Sequence, residues 1–159
     1  SGMGDLMLGA AYTLFDDATR PVGLDIGGKI KFGTASTSKS LGTGENDYAL
    51  FAEIYKSLGR WAPYLNLGYK WKGDPAGIEY RNVWFGSVGA QYRMTPTLSA
   101  GGSYDWQQAV TASGARVSEA VLFLNIKVNT ENRMNLYVVG GFSEGSPDWG
   151  SGVMYSHLF

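Results

Sequence analysis

Val22 to Phe32, VGLDIGGKIKF, sorts its residues by parity: Val22, Leu24, Ile26, Ile30 and Phe32, with Gly28 among them, alternate with Gly23, Asp25, Gly27, Lys29 and Lys31. Successive side chains of a strand leave on opposite faces, so the stretch predicts a strand with one apolar face and one polar, charged face. Its length, about eleven residues, is what a tilted strand needs to cross the hydrocarbon core of a bilayer. Two solutions are open to such a strand. Either the apolar face packs on a protein core, as in a soluble sandwich or ligand-binding barrel, or it meets lipid while the polar face lines a lumen.

The same period recurs along the chain. Leu6 to Leu14 precedes it, and Tyr48 to Lys56, Tyr64 to Lys72, Val83 to Met94, Leu98 to Gln107, Glu119 to Asn129, Met134 to Ser143 and Gly152 to Phe159 follow. About nine strands are predicted. The turn DDATRP, the connection GRWAP, the turn TPT and the turn around Glu131 to Arg133 are short. GTASTSKSLGTGEND, KGDPAGIEYRN, TASGARVS and EGSPDWG are longer, and the two kinds alternate strictly. Membrane barrels put short turns on the periplasmic side and longer loops outside, which would start strand one at the outer end. Complete bacterial barrels have an even strand number and both termini inside, so the expectation is that upstream strands are missing from this chain or that one is miscounted.

Length and composition narrow the class. At 159 residues, with no linker or charge block, the chain is expected to be one domain. A net charge of -1, from 13 Lys+Arg and 14 Asp+Glu, offers no basic field for nucleic acid. The 23 Gly, 14% aromatic content and lack of any helical heptad or long apolar run exclude a helical membrane protein and favour an all-β fold. The absence of Cys removes disulfides, thiolate chemistry and cysteine-ligated zinc. The opening SGMGDLML has neither the cationic region nor the apolar core of a signal peptide, so the chain is expected to be mature, trimmed or a fragment.

Parity over all the strands separates the two solutions. Across the first eight, the apolar set holds essentially one charge, Lys56, at a strand end where its stem can snorkel. The polar set predicts the lumen lining: Asp25, Lys29, Lys31, Glu53, Asn66, Lys70, Lys72, Gln91, Arg93, Asp105, Glu119 and Lys127. A soluble carrier would invert this arrangement, with the apolar face inside, and alternation alone leaves that inversion open. The aromatics of the apolar set argue for lipid. Phe32, Tyr48, Trp71, Trp84, Trp106 and Phe142 fall at the ends expected to be extracellular, and Tyr12, Tyr92 and Phe159 toward the opposite ends, as membrane-interface girdles around an aliphatic band. The expected fold is an antiparallel up-and-down transmembrane β-barrel.

The final strand, GSGVMYSHLF, resembles the terminal strand by which bacterial outer-membrane barrels are recognised for assembly, although His157 stands where an aromatic or aliphatic residue is more usual. Several longer runs, SGMGDLMLGAAY, LDIGGKIKFGTAS leading into LGTGENDYAL, AQYRMTPTLSAGGSYDW and GSPDWGSGVMYSHLF, are similar to the outer-membrane channel family named after the meta-pathway of phenol degradation. The likeness extends over nearly the whole chain. It implies a twelve-stranded barrel of which this chain is the C-terminal portion, in the outer membrane of a Gram-negative bacterium. Passive uptake of small, hydrophobic or aromatic molecules is the implied activity.

No residue constellation points to catalysis or to a cofactor. His157 is the only His, and Ser156 beside it points to the other face, which denies the pair a nucleophile–base contact within the strand. Asp16 and Asp17 read as a solvated turn rather than a metal site, and Gly42 and Gly44 lack the Lys-Ser/Thr sequel of a phosphate loop. The expected partners are outer-membrane lipid, the barrel-assembly machinery through the strand ending in Phe159, and a small-molecule solute, with no nucleic acid. Lys29, Lys31, Lys70 and Lys72 are expected to form a basic sector in the outer half of the lumen, with Glu53 and Asp105 as the nearest carboxylates. A structural barrel plugged by its own side chains and a soluble lipocalin-like carrier are the alternatives; a lipid-modifying enzyme would need a nucleophile–base pair that this chain does not offer.

Overall fold

The computed structural model describes residues 2–39, 41–75 and 77–157. Nine strands form one antiparallel sheet in which every strand pairs with its sequence neighbour, and the sheet curves into a half-barrel. The strands are β1 (Leu6–Phe15), β2 (Gly23–Phe32), β3 (Asp47–Tyr55), β4 (Trp61–Trp71), β5 (Val83–Arg93), β6 (Leu98–Gln107), β7 (Val117–Lys127), β8 (Asn132–Gly141) and β9 (Trp149–His157). The only helical segment among the described residues is a 3-10 turn at Thr37–Lys39, inside the β2–β3 connection.

Register carries the parity of one strand into the next. Tyr12 stands opposite Ile26, Ile26 opposite Ala52, Ala52 opposite Leu67, and Leu67 opposite Gly86, so the apolar positions make one continuous face. The other face is the concave one, because Asp25 and Glu53 on one side and Arg133 and Asn135 on the other line a single cleft. The convex face is bare: Leu50, Leu65, Leu67 and Leu122 keep 59%, 53%, 47% and 65% of their surface exposed. Among the described residues the buried hydrophobic ones are few, Ala35, Ala49 and Val83, and all lie near one rim. The sheet is thus held by its ladders and by the concave-face side chains rather than by a conventional apolar core.

The short connections, 16–22, 56–60, 94–97 and 128–131, share one rim, and the generally longer ones, 33–46, 72–82, 108–116 and 142–148, share the other, the last being equal in length to 16–22. Local chemistry closes the short ones. Asp16 Oδ1 accepts the backbone N–H groups of Ala18 and Thr19. Gly59, at φ 65°, lets Leu58 and Trp61 bridge. Asn129 Oδ1 accepts the N–H groups of Glu131 and Asn132.

Two strands begin three residues earlier than the alternation suggested. β4 takes in Trp61 and Pro63 from the expected GRWAP connection. Pro63 is tolerated because its carbonyl faces the β3 side, where it accepts the Lys56 N–H just past the end of β3, so the missing proline N–H interrupts no central ladder. β9 begins at Trp149 rather than Gly152, shortening the last connection to 142–148.

Candidate functional site

One transverse line of concave-face residues organises the site. Register connects Asp25 to Glu53, Glu53 to Asn66, Asn66 to Ser87, Ser87 to Asp105 and Asp105 to Glu119. The line starts near the short-connection rim, where Asp25 is close to the start of β2, and reaches the long-connection rim at Glu119, close to the start of β7. Pairing runs perpendicular to the strands, so this climb is the stagger of a tilted, barrel-forming sheet. All four acids expected on the polar face lie along it. On its upper side, over β2 to β4, stand Lys29, Lys31, Lys70 and Lys72; on its lower side, over β5 to β8, stand Gln91, Arg93, Asn125, Lys127 and Arg133.

The upper cations divide into two kinds. Asp47, only 6% exposed, takes Lys72 Nζ at 2.5 Å and Lys31 Nζ at 3.4 Å, and Lys31 also reaches Asp5 Oδ2 at 2.8 Å. The Asp5 carboxyl is held below its ordinary range, chiefly by its hydrogen bond from Lys31 and then by the Ala35 N–H. Asp47 Oδ1 accepts the Gly73 N–H, so a single side chain ties together β2, β3 and the start of the 72–82 connection that leaves β4. These partners replace the expected pair, Glu53 and Asp105, which make no ion pair among the described residues. Asp5 precedes β1 and Asp47 opens β3 straight out of a long polar loop. Parity puts Asp47 on the side of Glu53, but only the register brings it against both lysines.

Lys29 and Lys70 lie one step further from the long-connection rim and make no ion pair among the described residues. Lys29 Nζ sits 5.3 Å from the centroid of the Phe51 ring, and Lys70 Nζ sits 5.5 Å from that of Phe85. Lys70 also donates to Gln107 Oε1 at 2.6 Å.

Below the acidic line a cleft of about 600 Å³ opens on the concave face. Asp25, Glu53, Tyr55 and Tyr64 form one side, Gln91, Asn125, Asn135 and Arg133 the other, with Ala62 and Phe123 between them. The amides form a chain across three strands: Asn135 Nδ2 donates to Asn125 Oδ1, and Asn125 Nδ2 donates to Gln91 Oε1, each at 2.7 Å. Asp25 and Glu53 are directly opposed across β2 and β3, and Asp25 Oδ1 is buried with no hydrogen-bond partner among the described residues. Near the short-connection rim, Arg93 Nη2 donates to the Gly59 carbonyl at 3.1 Å. Lys127 pairs in register with Arg133.

The convex face carries the aromatics expected as girdles. Phe32, Tyr48, Trp71, Trp84, Trp106 and Phe142 lie at the long-connection ends of their strands, and Tyr12 and Tyr92 toward the short-connection ends. Tyr69 lies edge-on to Trp71 and Trp84, with centroids 5.0 and 5.1 Å apart. At the short rim, Trp61 packs on Tyr92 at 4.9 Å, a pair concealed in the sequence by the apparent turn GRWAP. Phe159 lies outside the described residues. His157 Nδ1 and the Tyr155 hydroxyl both bond Asn132 Oδ1, while Ser156 pairs with Arg133 on the opposite parity. Gly44, at φ 75°, belongs to a segment folded back against Gly33. Asp17 accepts the Ser57 N–H and its carbonyl accepts Lys56 Nζ at 3.3 Å, joining two short turns.

A search of curated proteins finds no match to this sequence. The match to a known family is complete in length: the chain belongs, over residues 1–159, to the family described as putative MetA-pathway of phenol degradation.

Proposed function

We propose that this half-barrel is the wall of an outer-membrane channel for passive uptake of small, hydrophobic or aromatic molecules, closed by further strands into a larger barrel of about twelve. The observation that carries this reading is the convex face. A continuous apolar surface, with aromatics toward both rims and charges confined to the concave side, matches the lipid-facing pattern of a membrane barrel and far exceeds the apolar patches of soluble monomers. Family membership adds a link to phenol degradation. In this reading the protein is not an enzyme. It resides in the outer membrane of a Gram-negative bacterium, meets lipid through its convex face, and engages the assembly machinery through its C-terminal strand.

A structural barrel without transport is the second reading. It is favoured by the pairing of Lys31 and Lys72 with Asp47, which fills part of the concavity with self-satisfied charge. Planar-bilayer recording on the full protein separates the two. Channel function gives stepwise conductance and flux of an aromatic solute into loaded vesicles. A folded, inserted protein that passes neither supports the structural barrel, and a protein soluble without detergent supports the carrier.

A further inference from the structure

We propose that Lys29 and Lys70, together with the rings of Phe51 and Phe85, form a binding site for a small aromatic carboxylate on the concave face. This rests on the transport reading and names the solute class that the channel would select.

One local unit is built twice. In β2, Gly27 is followed two residues later by Lys29, and the Phe51 ring of β3 lies over Gly27, where a Cβ would meet it. In β4, Gly68 is followed two residues later by Lys70, and the Phe85 ring of β5 lies over Gly68 in the same way. Each glycine lets a ring tilt across the neighbouring strand, and each lysine, on the same face of that strand, then extends over the ring. The two units flank Ala49, which stands opposite both Lys29 and Lys70 and is itself buried between them. The lysine Cα atoms are two strands apart, about 10 Å, within reach of one ligand for side chains of this length.

Neither Lys29 nor Lys70 has a carboxylate at ion-pair distance among the described residues. Asp5 and Asp47 pair directly with Lys31 and Lys72, whereas the direct partners of Lys29 and Lys70 among the described residues are rings and the neutral Gln107. Lys29, Lys31 and Lys72 all lie within electrostatic reach of Lys70, together with the opposing carboxylate of Asp47, which the cations outnumber. Such a cluster is relieved by an anion from solution, and charge-assisted hydrogen bonds to a carboxylate are the strong kind. The surroundings select its body: the edges of the half-buried Phe51 and Phe85 rings offer apolar contact that a simple inorganic anion cannot use.

The test is titration calorimetry on the full protein refolded in detergent micelles, with benzoate, acetate and benzyl alcohol as probes. Benzoate should bind more tightly than either acetate, which lacks the ring, or benzyl alcohol, which lacks the charge. The double variant Lys29→Gln, Lys70→Gln should weaken benzoate by about tenfold or more, while Lys29→Arg, Lys70→Arg, which keeps both charges, should retain most of it. Arg20→Gln, Lys39→Gln removes the same charge at exposed positions elsewhere and should change nothing. Should the first double variant fail to refold, Lys29→Gln alone, at an exposed position, must still weaken benzoate. Equal affinity in wild type and the Lys29 and Lys70 variants, acetate as tight as benzoate, or no benzoate binding overturns the proposal. Benzoate bound by a protein that conducts nothing removes transport and leaves the site; conductance without benzoate binding does the reverse.

Discussion

Glycines under aromatic rings give the concave face its order. The Tyr55 ring covers Gly23, Phe51 covers Gly27, Phe85 covers Gly68, Tyr64 covers Gly89, Phe123 covers Gly101 and Tyr137 covers Gly152, always on the paired residue of an adjacent strand. Each ring thereby buries area against backbone, restoring the packing a glycine forfeits, and stays out of the open centre of the half-barrel. Space at these glycines is therefore filled. A Cβ on Gly68 would meet the Phe85 ring and approach the Leu50 carbonyl oxygen to 2.7 Å, and a backbone atom of a central strand cannot easily yield. Gly68→Ala should cost about 1–3 kcal/mol as an overpacked site. At Gly140 the nearest atom, the Asp148 carbonyl oxygen, is 4.0 Å from the added Cβ, so Gly140→Ala should be close to neutral. Urea midpoints of the two variants refolded in micelles make the comparison, and equal losses would remove the ring-over-glycine account.

At the scale of elements, alternation alone located the strands and the rims, because parity is a local property that register then conserves. It failed where a decision depended on partners distant in sequence. Trp61 and Pro63 look like turn residues until β5 is seen to pair with them, and Asp47 looks like the end of a polar loop until it meets Lys72, just past the end of β4. The ring-over-glycine pairs were equally hidden, since no local pattern says which glycine faces which ring. Asp17 is a further case: a solvated turn by sequence, it joins the β1–β2 turn to the β3–β4 turn through the Ser57 N–H. That hydrogen bond is the main reason its carboxyl is held below the ordinary 3.8. A carboxyl with a lowered folded-state pKa stabilises the fold fully above its unfolded value, and the contribution disappears as pH falls through the folded one. Asp17→Asn should thus be less stable than wild type at neutral pH, with the gap closing in acid. Urea unfolding followed across that range reads this directly; a gap constant with pH would mean that the charge of Asp17 does not matter.

For the molecule as a whole, the question is which solvent the two faces meet, and β4 poses it most sharply because neighbouring residues give opposite answers. Leu67 is seventh of eleven in β4, stands between Ala52 and Gly86 on the convex face, and is 47% exposed. Asn66, one residue earlier, stands between Glu53 and Ser87 on the concave face. In a bilayer, an arginine on the lipid side at mid-height loses its hydration, whereas one on the inner side joins water and the carboxylate of Glu53. Leu67→Arg should therefore destabilise the folded protein in liposomes by roughly 2–4 kcal/mol, and Asn66→Arg should be tolerated. A water-facing convex side would reverse the expectation, since an arginine in place of an exposed leucine costs little there. Unfolding equilibria of both variants in liposomes therefore test the facing itself. Equal stability losses, or a larger loss at Asn66, would overturn the membrane assignment together with the channel built on it.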